Sequence, residues 1–356
     1  MNNNKIAFPH ISSYYIPIKY IIKKITKADI IIPKLNNEET IQIGSRYSPC
    51  DICMPFKYNV GNYIDALNKG ANILIQAGGG CRYGYYAELE EQILRELGYN
   101  FNFINLIKDN HISLIKLYKE AKKINNKLNV FQYIYYLLQV FLIIIYLDNI
   151  NRYKRENKVL LQKENEIELL LNKLKKIYSS DNLTIYKILK AYQITKKNIK
   201  KISKKNINPT KILIIGELYT IMDEAANHNL EETLIKNGSI IYRYTDLTYL
   251  LLKKRFVQKK ILFYSRKYIK YNLGADGAES VYHALKHSKN SIDGIIHIKS
   301  YGCVPELNAI PVLNRISEEY KVPIMYLSFD GENNIANIDT KIEAFYDMIK
   351  SKKQIK

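Results

Sequence analysis

The 356-residue chain has no tryptophan, only six histidines and only four cysteines. Glycine and proline are also sparse, at 15 and 9. Four cysteines are too few to staple a chain of this length, so a disulfide scaffold is excluded. The scarcity of glycine and proline excludes collagen-like and low-complexity linker architectures. Hydrophobic residues make up 47% and aromatics 12%, which excludes general disorder. The opening MNNNKIAFPH lacks the apolar h-region of a secretory signal and runs directly into a strand-like stretch. The expected setting is therefore cytoplasmic, where cysteines serve as metal ligands or reactive thiols.

What is abundant is lysine, isoleucine, asparagine and tyrosine, with 31 tyrosines. These residues have A/T-rich codons, so a biased genome gives this composition without selection for charge. Lys and Arg total 54 against 34 acids, a net charge of +20. Residues 105–210 hold 22 of the basic residues against 8 acids, and the flanks are nearly balanced. Lys154, Lys158, Lys163, Lys173 and Lys175 are interleaved with Glu156, Glu164, Glu166 and Glu168. Such mixing suits solvated helices, so no nucleic-acid partner is expected. Residues 131–147 contain 15 apolar residues, broken only by Gln132 and Gln139. Seventeen residues fall short of the ~20 that a span requires. We expect a buried or interfacial helix there, and no membrane span.

Short apolar runs at 6–9, 29–33, 72–77 and 101–106 alternate with helical patterns, the clearest over 85–97 with Gly98 as its stop signal. Residues 107–208 lose the strand signal and read as long helices. Strands resume at 212–215, 239–244, 294–299 and 323–329. This order predicts an α/β protein with parallel sheets. The expected domains are 1–106, a helical linking segment over 107–208, and 209–356. The two α/β parts resemble repeats of one plan. Lys5 and Lys211 each open an apolar strand, and a later strand in each part ends in a Gly–Cys pair, Gly80–Cys81 and Gly302–Cys303. In open α/β sheets, ligands bind at the carboxyl edge of the strands.

All four cysteines sit beside turn residues. Cys50 and Cys53 form a Cys-x-x-Cys with Pro55 just after it, Cys81 follows Gly78, Gly79 and Gly80, and Cys303 precedes Val304 and Pro305. Cys53, Cys81 and Cys303 read as three strand-to-helix turns, each offering a thiol where free N–H groups and the helix dipole favour a thiolate. That combination suits a thiolate-ligated anionic metal cluster. A lone Cys-x-x-Cys makes no zinc finger. Arg82 and Lys57 flank the cysteines and offset cluster charge, bind a phosphate or carboxylate, or make surface ion pairs. Glu217 and Glu306 are candidate acid/base groups, with a helix-start carboxylate as the plainer role for each. Gly79–Gly84 resembles a dinucleotide fingerprint but carries Cys81 at its middle glycine, and no acid ends the next strand. NAD binding is not expected.

Pro49-Cys-Asp-Ile-Cys-Met-Pro-Phe-Lys57, with Gly61-Asn-Tyr-Ile-Asp-Ala-Leu67 after it, resembles a signature of the 2-hydroxyacyl-CoA dehydratase-like iron–sulfur proteins. It is most similar to their stand-alone branch, the acyl-CoA dehydratase activase-related proteins. Ala77-Gly-Gly-Gly-Cys-Arg-Tyr-Gly-Tyr-Tyr86, Gly216-Glu-Leu-Tyr219, Ser300-Tyr-Gly-Cys-Val-Pro-Glu306 and Asp339-Thr-Lys-Ile-Glu-Ala-Phe-Tyr-Asp-Met348 follow in the family's order. The resemblance implies two Rossmann-like parallel-sheet domains with a metal cluster in the cleft between them. It implies one 4Fe–4S cluster held by Cys53, Cys81 and Cys303, with one iron open and Gly79, Gly80 and Gly302 in the cofactor-binding turns. It implies an ATP-hydrolysing activase partner as electron donor, an acyl-CoA thioester substrate, and a homo- or hetero-dimer. One electron on the thioester carbonyl would make a ketyl radical from which a 2-hydroxyl leaves. Two residues depart from the pattern. Cys50 replaces an acidic residue, either closing the fourth iron site or standing by, and Lys341 replaces an arginine. The alternatives are an accessory electron-transfer iron–sulfur protein without its own substrate, or a zinc-stabilised binding module.

Overall fold

The computed structural model describes residues 4–78, 81–108, 111–290, 292–330 and 335–354. They form two compact units. One comprises residues up to Ile144 together with Ile177–Leu189, and the other Ile145–Lys176 together with Lys190 onward. Residues 107–208, read from sequence as a linking segment, are thus divided between the units.

The first unit is built on strands β1 (Lys5–Ala7), β2 (Asp29–Ile31), β3 (Ile73–Gln76) and β4 (Asn102–Asn105). They form one parallel sheet in the order β2-β1-β3-β4. A short antiparallel hairpin follows, β5 (Ile107–Lys108) with β6 (His111–Ile112), inside a stretch whose sequence carries no strand signal. The second unit contains β7 (Thr210–Gly216), β8 (Ser239–Tyr242), β9 (Gly294–Ser300) and β10 (Ile324–Phe329). Its parallel sheet runs β10-β9-β7-β8. Numbered within each unit, both sheets have the order 2-1-3-4, so the repeat expected from Lys5/Lys211 and Cys81/Cys303 is present in the chain trace. All eight sheet strands lie where apolar, isoleucine-rich runs placed them.

The order 2-1-3-4 reverses direction between its first and third strands. That reversal opens a crevice at the carboxyl edge, the usual ligand position in such sheets. Cys81 follows the third strand of the first sheet, and Cys303 follows the third strand of the second.

In the first unit, Phe56, Tyr63, Leu74 and Leu94 anchor the core. Helix Glu38–Tyr47, capped by the Asn37 side chain on the Thr40 amide, packs on helix Met54–Asn68. A Cβ at Gly44 would fall 1.7 Å from the Lys57 carbonyl oxygen, and one at Gly61 2.2 Å from that of Thr40. This backbone-to-backbone contact fixes the start of the second helix, where Cys53 stands. In the second unit, Leu213, Val281, Ile295 and Leu313 form the corresponding core.

Residues 114–200 form helices Leu114–Ile124, Val130–Asn157, Glu164–Tyr178 and Ile185–Lys200. In the second unit, Lys154 and Lys158 each bridge Glu168 and Glu232 at 2.6–3.0 Å. The mixed charges here are an ion-pair network and not just a solvated face. The stretch Val130–Leu160 is long and apolar enough, by length and composition, to cross a membrane, and 33% of its most apolar window is buried.

Candidate functional site

In the first unit, Cys53 is the N-cap of helix Met54–Asn68, with Pro55 in the first turn. The turn joins two helices, Glu38–Tyr47 and Met54–Asn68, so the expected strand-to-helix turn is corrected at this cysteine: helix Glu38–Tyr47 intervenes after β2. Cys81 caps the 3-10 turn Arg82–Tyr85, and its sulfur accepts the Tyr83 N–H at 3.5 Å. Both thiols act on Tyr86, the first residue of helix Tyr86–Glu96, Cys53 by contact and Cys81 electrostatically. Its hydroxyl lies 2.5 Å from the Cys53 sulfur. Burial, followed by Cys53 and then Cys81, pushes this hydroxyl well above its ordinary pKa, and Arg82 acts in the opposite direction. The phenol therefore keeps its proton and is hydrogen-bonded with the Cys53 sulfur. The Tyr86 ring is held edge-on by Phe56 at 5.0 Å and tilted against Tyr83 at 5.1 Å. A Cβ at Gly78 would overlap the Tyr83 ring, so the residue before the glycine pair must be small.

Behind the thiols runs a buried polar chain. The Asn59 side-chain amide donates to the Tyr83 hydroxyl at 2.9 Å and to Glu90 at 2.8 Å. Glu90 is fully buried, and burial lifts its carboxyl to about 8 despite the Asn59 bond. It is thus largely protonated at neutral pH. Nothing in the residue pattern singles it out, because Glu90 stands in an acidic helix among Glu88, Glu91 and Glu96. A check of which carboxylate falls on the inward face at four-residue spacing from Tyr86 and Leu94 would have found it.

In the second unit, Cys303 is the N-cap of helix Val304–Tyr320, and Gly302 before it has φ +71°. That left-handed turn favours glycine. Lys299, mostly buried at the end of β9, interacts electrostatically with Cys303 and Glu306, while burial pulls its ammonium below its usual pKa. Its ammonium donates to Ser328 at 3.0 Å. Glu306 is fully buried and takes bonds from the Ser280 hydroxyl at 2.9 Å and the His297 ring at 2.7 Å. Ser328, Phe329 and Lys341 line a pocket of about 110 Å³ at the carboxyl end of β10.

The remaining sequence candidates separate. Glu217 caps helix Leu218–Met222, receiving the Tyr219 and Thr220 amides and the Thr220 hydroxyl; burial raises it to about 7. Its oxygens serve the helix start, the plainer of its two roles. Glu306 is likewise committed to a buried network in the first turn of its helix. Lys57 is buried on helix Met54–Asn68, while Arg82 and Cys50 are exposed. Gly79 and Gly80 lie outside the described residues. His283 and His287, expected from sequence to be core or surface histidines of a helix and not a metal pair, do form a His-x-x-x-His on helix Gly277–Ser288. Both rings stack with Tyr244, at 4.8 and 4.9 Å, and burial lowers them to about 3 and about 4. Among the described residues, no three His, Cys, Asp or Glu side chains gather into a metal-sized group. No protein-family model matches the sequence, and no curated protein matches it.

Proposed function

We propose that the chain is an iron–sulfur protein of the 2-hydroxyacyl-CoA dehydratase type, binding one 4Fe–4S cluster through Cys53, Cys81 and Cys303. The observation that carries this reading is the placement of the sulfurs. Each of the three caps a helical turn; the Tyr86 hydroxyl bonds the Cys53 sulfur and feels Cys81 electrostatically. The donor set fits the group: soft thiols at helix starts suit iron–sulfur chemistry, and the outward N–H groups suit an anionic cluster. When bound, the cluster would supply low-potential electron transfer and Lewis acidity at an open iron.

The chain's own residues have narrower tasks. Tyr86 donates a hydrogen bond to the Cys53 sulfur. Lys299 sets a positive charge near Cys303, and Arg82 sets one near the Cys53–Cys81 pair. The Lys341 pocket is large enough for a carboxylate or phosphate group but not for a whole acyl-CoA, so it would grip one end of a substrate. An ATP-hydrolysing activase is the electron donor this reading requires, and a cytoplasmic setting follows from it. The resemblance stated above makes the third ligand Cys303 and leaves Cys50 outside the set.

Anaerobic purification with iron, sulfide and zinc analysis tests the proposal. About four iron and four sulfide per chain are expected. Cys53→Ser, Cys81→Ser and Cys303→Ser each lose the iron, and Cys50→Ser keeps it. One zinc per chain without sulfide overturns the reading. Iron loss from the Cys50 variant equal to the other three makes Cys50 a fourth ligand and closes the open site.

A further inference from the structure

The first half of helix Val130–Asn157 turns an apolar face outward. Phe131, Ile134, Tyr135 and Leu138 are all exposed, Phe131 at 85%. Their spacing of three and four puts them on one side of the helix. The opposite side is fixed within the first unit. Tyr133 is buried and donates to the Leu114 carbonyl at 2.7 Å, and Gln139 is buried between the Tyr20 hydroxyl and the Leu183 carbonyl. A contiguous patch of this kind on a folded unit marks an interaction surface.

Lysines fringe it. Lys24 lies 5.7 Å over the Tyr20 ring, and Tyr20 interacts with Tyr135 and Tyr136 of the apolar helix. On the packed side of the same helix, Lys122 lies 5.8 Å over Tyr118, whose ring meets Tyr133 at 5.1 Å. Lys119, Lys123 and Lys127, in the segment that leads into this helix, are exposed. Segments 15–27, 114–144 and 177–189 together hold ten lysines and two acids. Both acids are already paired, Glu120 with Lys123 at 2.8 Å and Asp181 with Lys23 at 2.7 Å.

We propose that this face docks the protein on the surface of an anionic lipid bilayer, with Phe131, Ile134, Tyr135 and Leu138 entering the headgroup boundary and the lysines meeting lipid phosphates. Apolar residues backed by lysines are the two components of interfacial binding, and each lysine adds an attraction that salt screens. A span is not the geometry, since crossing would strip Tyr133 and Gln139 of their buried partners. A second copy of the chain is disfavoured because it would set one lysine fringe against another with no unpaired acid among those segments to answer it.

The absence of tryptophan supplies the probe. Phe131→Trp in the full chain, purified anaerobically, carries the sole indole. With vesicles of phosphatidylcholine containing about one-third phosphatidylglycerol, its emission shifts to the blue, and the protein co-sediments with the vesicles. Pure phosphatidylcholine, or high salt, weakens partitioning about tenfold. Phe131→Ser combined with Leu138→Ser weakens it similarly, with an unchanged thermal melt. Phe131→Ser alone serves if the double variant melts early. A folded wild-type chain that leaves anionic vesicles unbound overturns the proposal. So does a dimer by light scattering that Phe131→Ser dissociates, which would make the face an interface between copies. Neither readout depends on the cluster.

Discussion

The carboxyl edges of the two sheets share a chain trace and differ in what surrounds the sulfur. In the first unit, Cys53 faces a phenol, Cys81 accepts the Tyr83 N–H, and beside them runs a neutral chain of Tyr83, Asn59 and protonated Glu90. In the second, Cys303 has Lys299 as an electrostatic neighbour and a buried His297–Glu306 pair three residues along its helix. The chain trace follows from hydrophobic patterning, which the two halves share. The surroundings follow from single polar residues, which they do not. The second edge places a cation near its sulfur, and the first adds the Tyr86 hydrogen bond to a cation of its own, Arg82. Both devices favour an electron-rich sulfur.

The sharpest way to break this comparison is at the crevice of the second sheet. Gly216 ends β7 with φ +133°, and a Cβ there would sit 1.7 Å from the Ile298 carbonyl oxygen. The side chain meets strand backbone, which cannot yield. Gly216→Ala should cost about 4 kcal/mol or leave the second unit unfolded, as overlap and strain combine. No glycine holds the equivalent place after β1, where Phe8 follows Ala7. A chemical melt of Gly216→Ala within 1 kcal/mol of wild type, on the order of a surface change, would mean the two crevices are equally loose.

Next in size is the buried pair. Glu306→Ala leaves the His297 ring without its 2.7 Å partner and Ser280 without its acceptor. Removing one member of such a pair costs about 3 kcal/mol. Glu306→Gln, which keeps an acceptor, should recover more than half of that. If both variants retain full stability and lose iron equally, Glu306 belongs to the cluster site and not to the frame beneath it.

The fold was legible because it rests on runs of Ile, Leu and Val that need no partner to be recognised. All eight sheet strands could be read that way. Cys53 was placed at the right helix start but behind the wrong kind of element, since helix Glu38–Tyr47 carries too few apolar residues to stand out as a packed helix. The pairing of Ile107–Lys108 with His111–Ile112 was lost because two-residue strands leave no period to read. Glu90 and the His283–His287 stack were illegible for another reason. Burial turns an ordinary acid or an ordinary pair of histidines into a perturbed one, and burial belongs to the tertiary packing. Glu217 and Glu306 were visible as acids beside turns, but whether each caps, pairs or reacts depended on where its oxygens point.

Glu90 sharpens the comparison through pH. Its folded carboxyl titrates at about 8, above the unfolded value of 4.5, because burial disfavours the charge. The stability it contributes is complete below about pH 4.5 and is lost as pH rises towards 8. The slope is about 1.4 kcal/mol per pH unit at most. Glu90→Gln removes that slope, so between pH 5 and pH 7 the variant should lose about 2–3 kcal/mol less than wild type in urea titrations. Parallel stability profiles for the two proteins would show that the chain behind Cys81 is not neutral.

The smallest effect falls on the contact that most distinguishes the first unit. Tyr86→Phe keeps the ring against Phe56 and Tyr83 and deletes only the hydroxyl facing Cys53. The ring stays packed, so the cost to folding is about 1 kcal/mol, the net worth of one hydrogen bond. The hydroxyl draws electron density from a sulfur that would ligate iron. Its loss should leave iron content unchanged while making the cluster harder to reduce, seen as a more negative potential in an anaerobic redox titration. Lys299→Met is the matching change in the second unit, removing the cation near Cys303. It should shift the potential in the same direction, because a nearby positive charge also stabilises the reduced, more negative cluster. If the two variants shift it oppositely, the hydrogen bond and the cation are not equivalent devices, and the symmetry of the two edges ends at the chain trace.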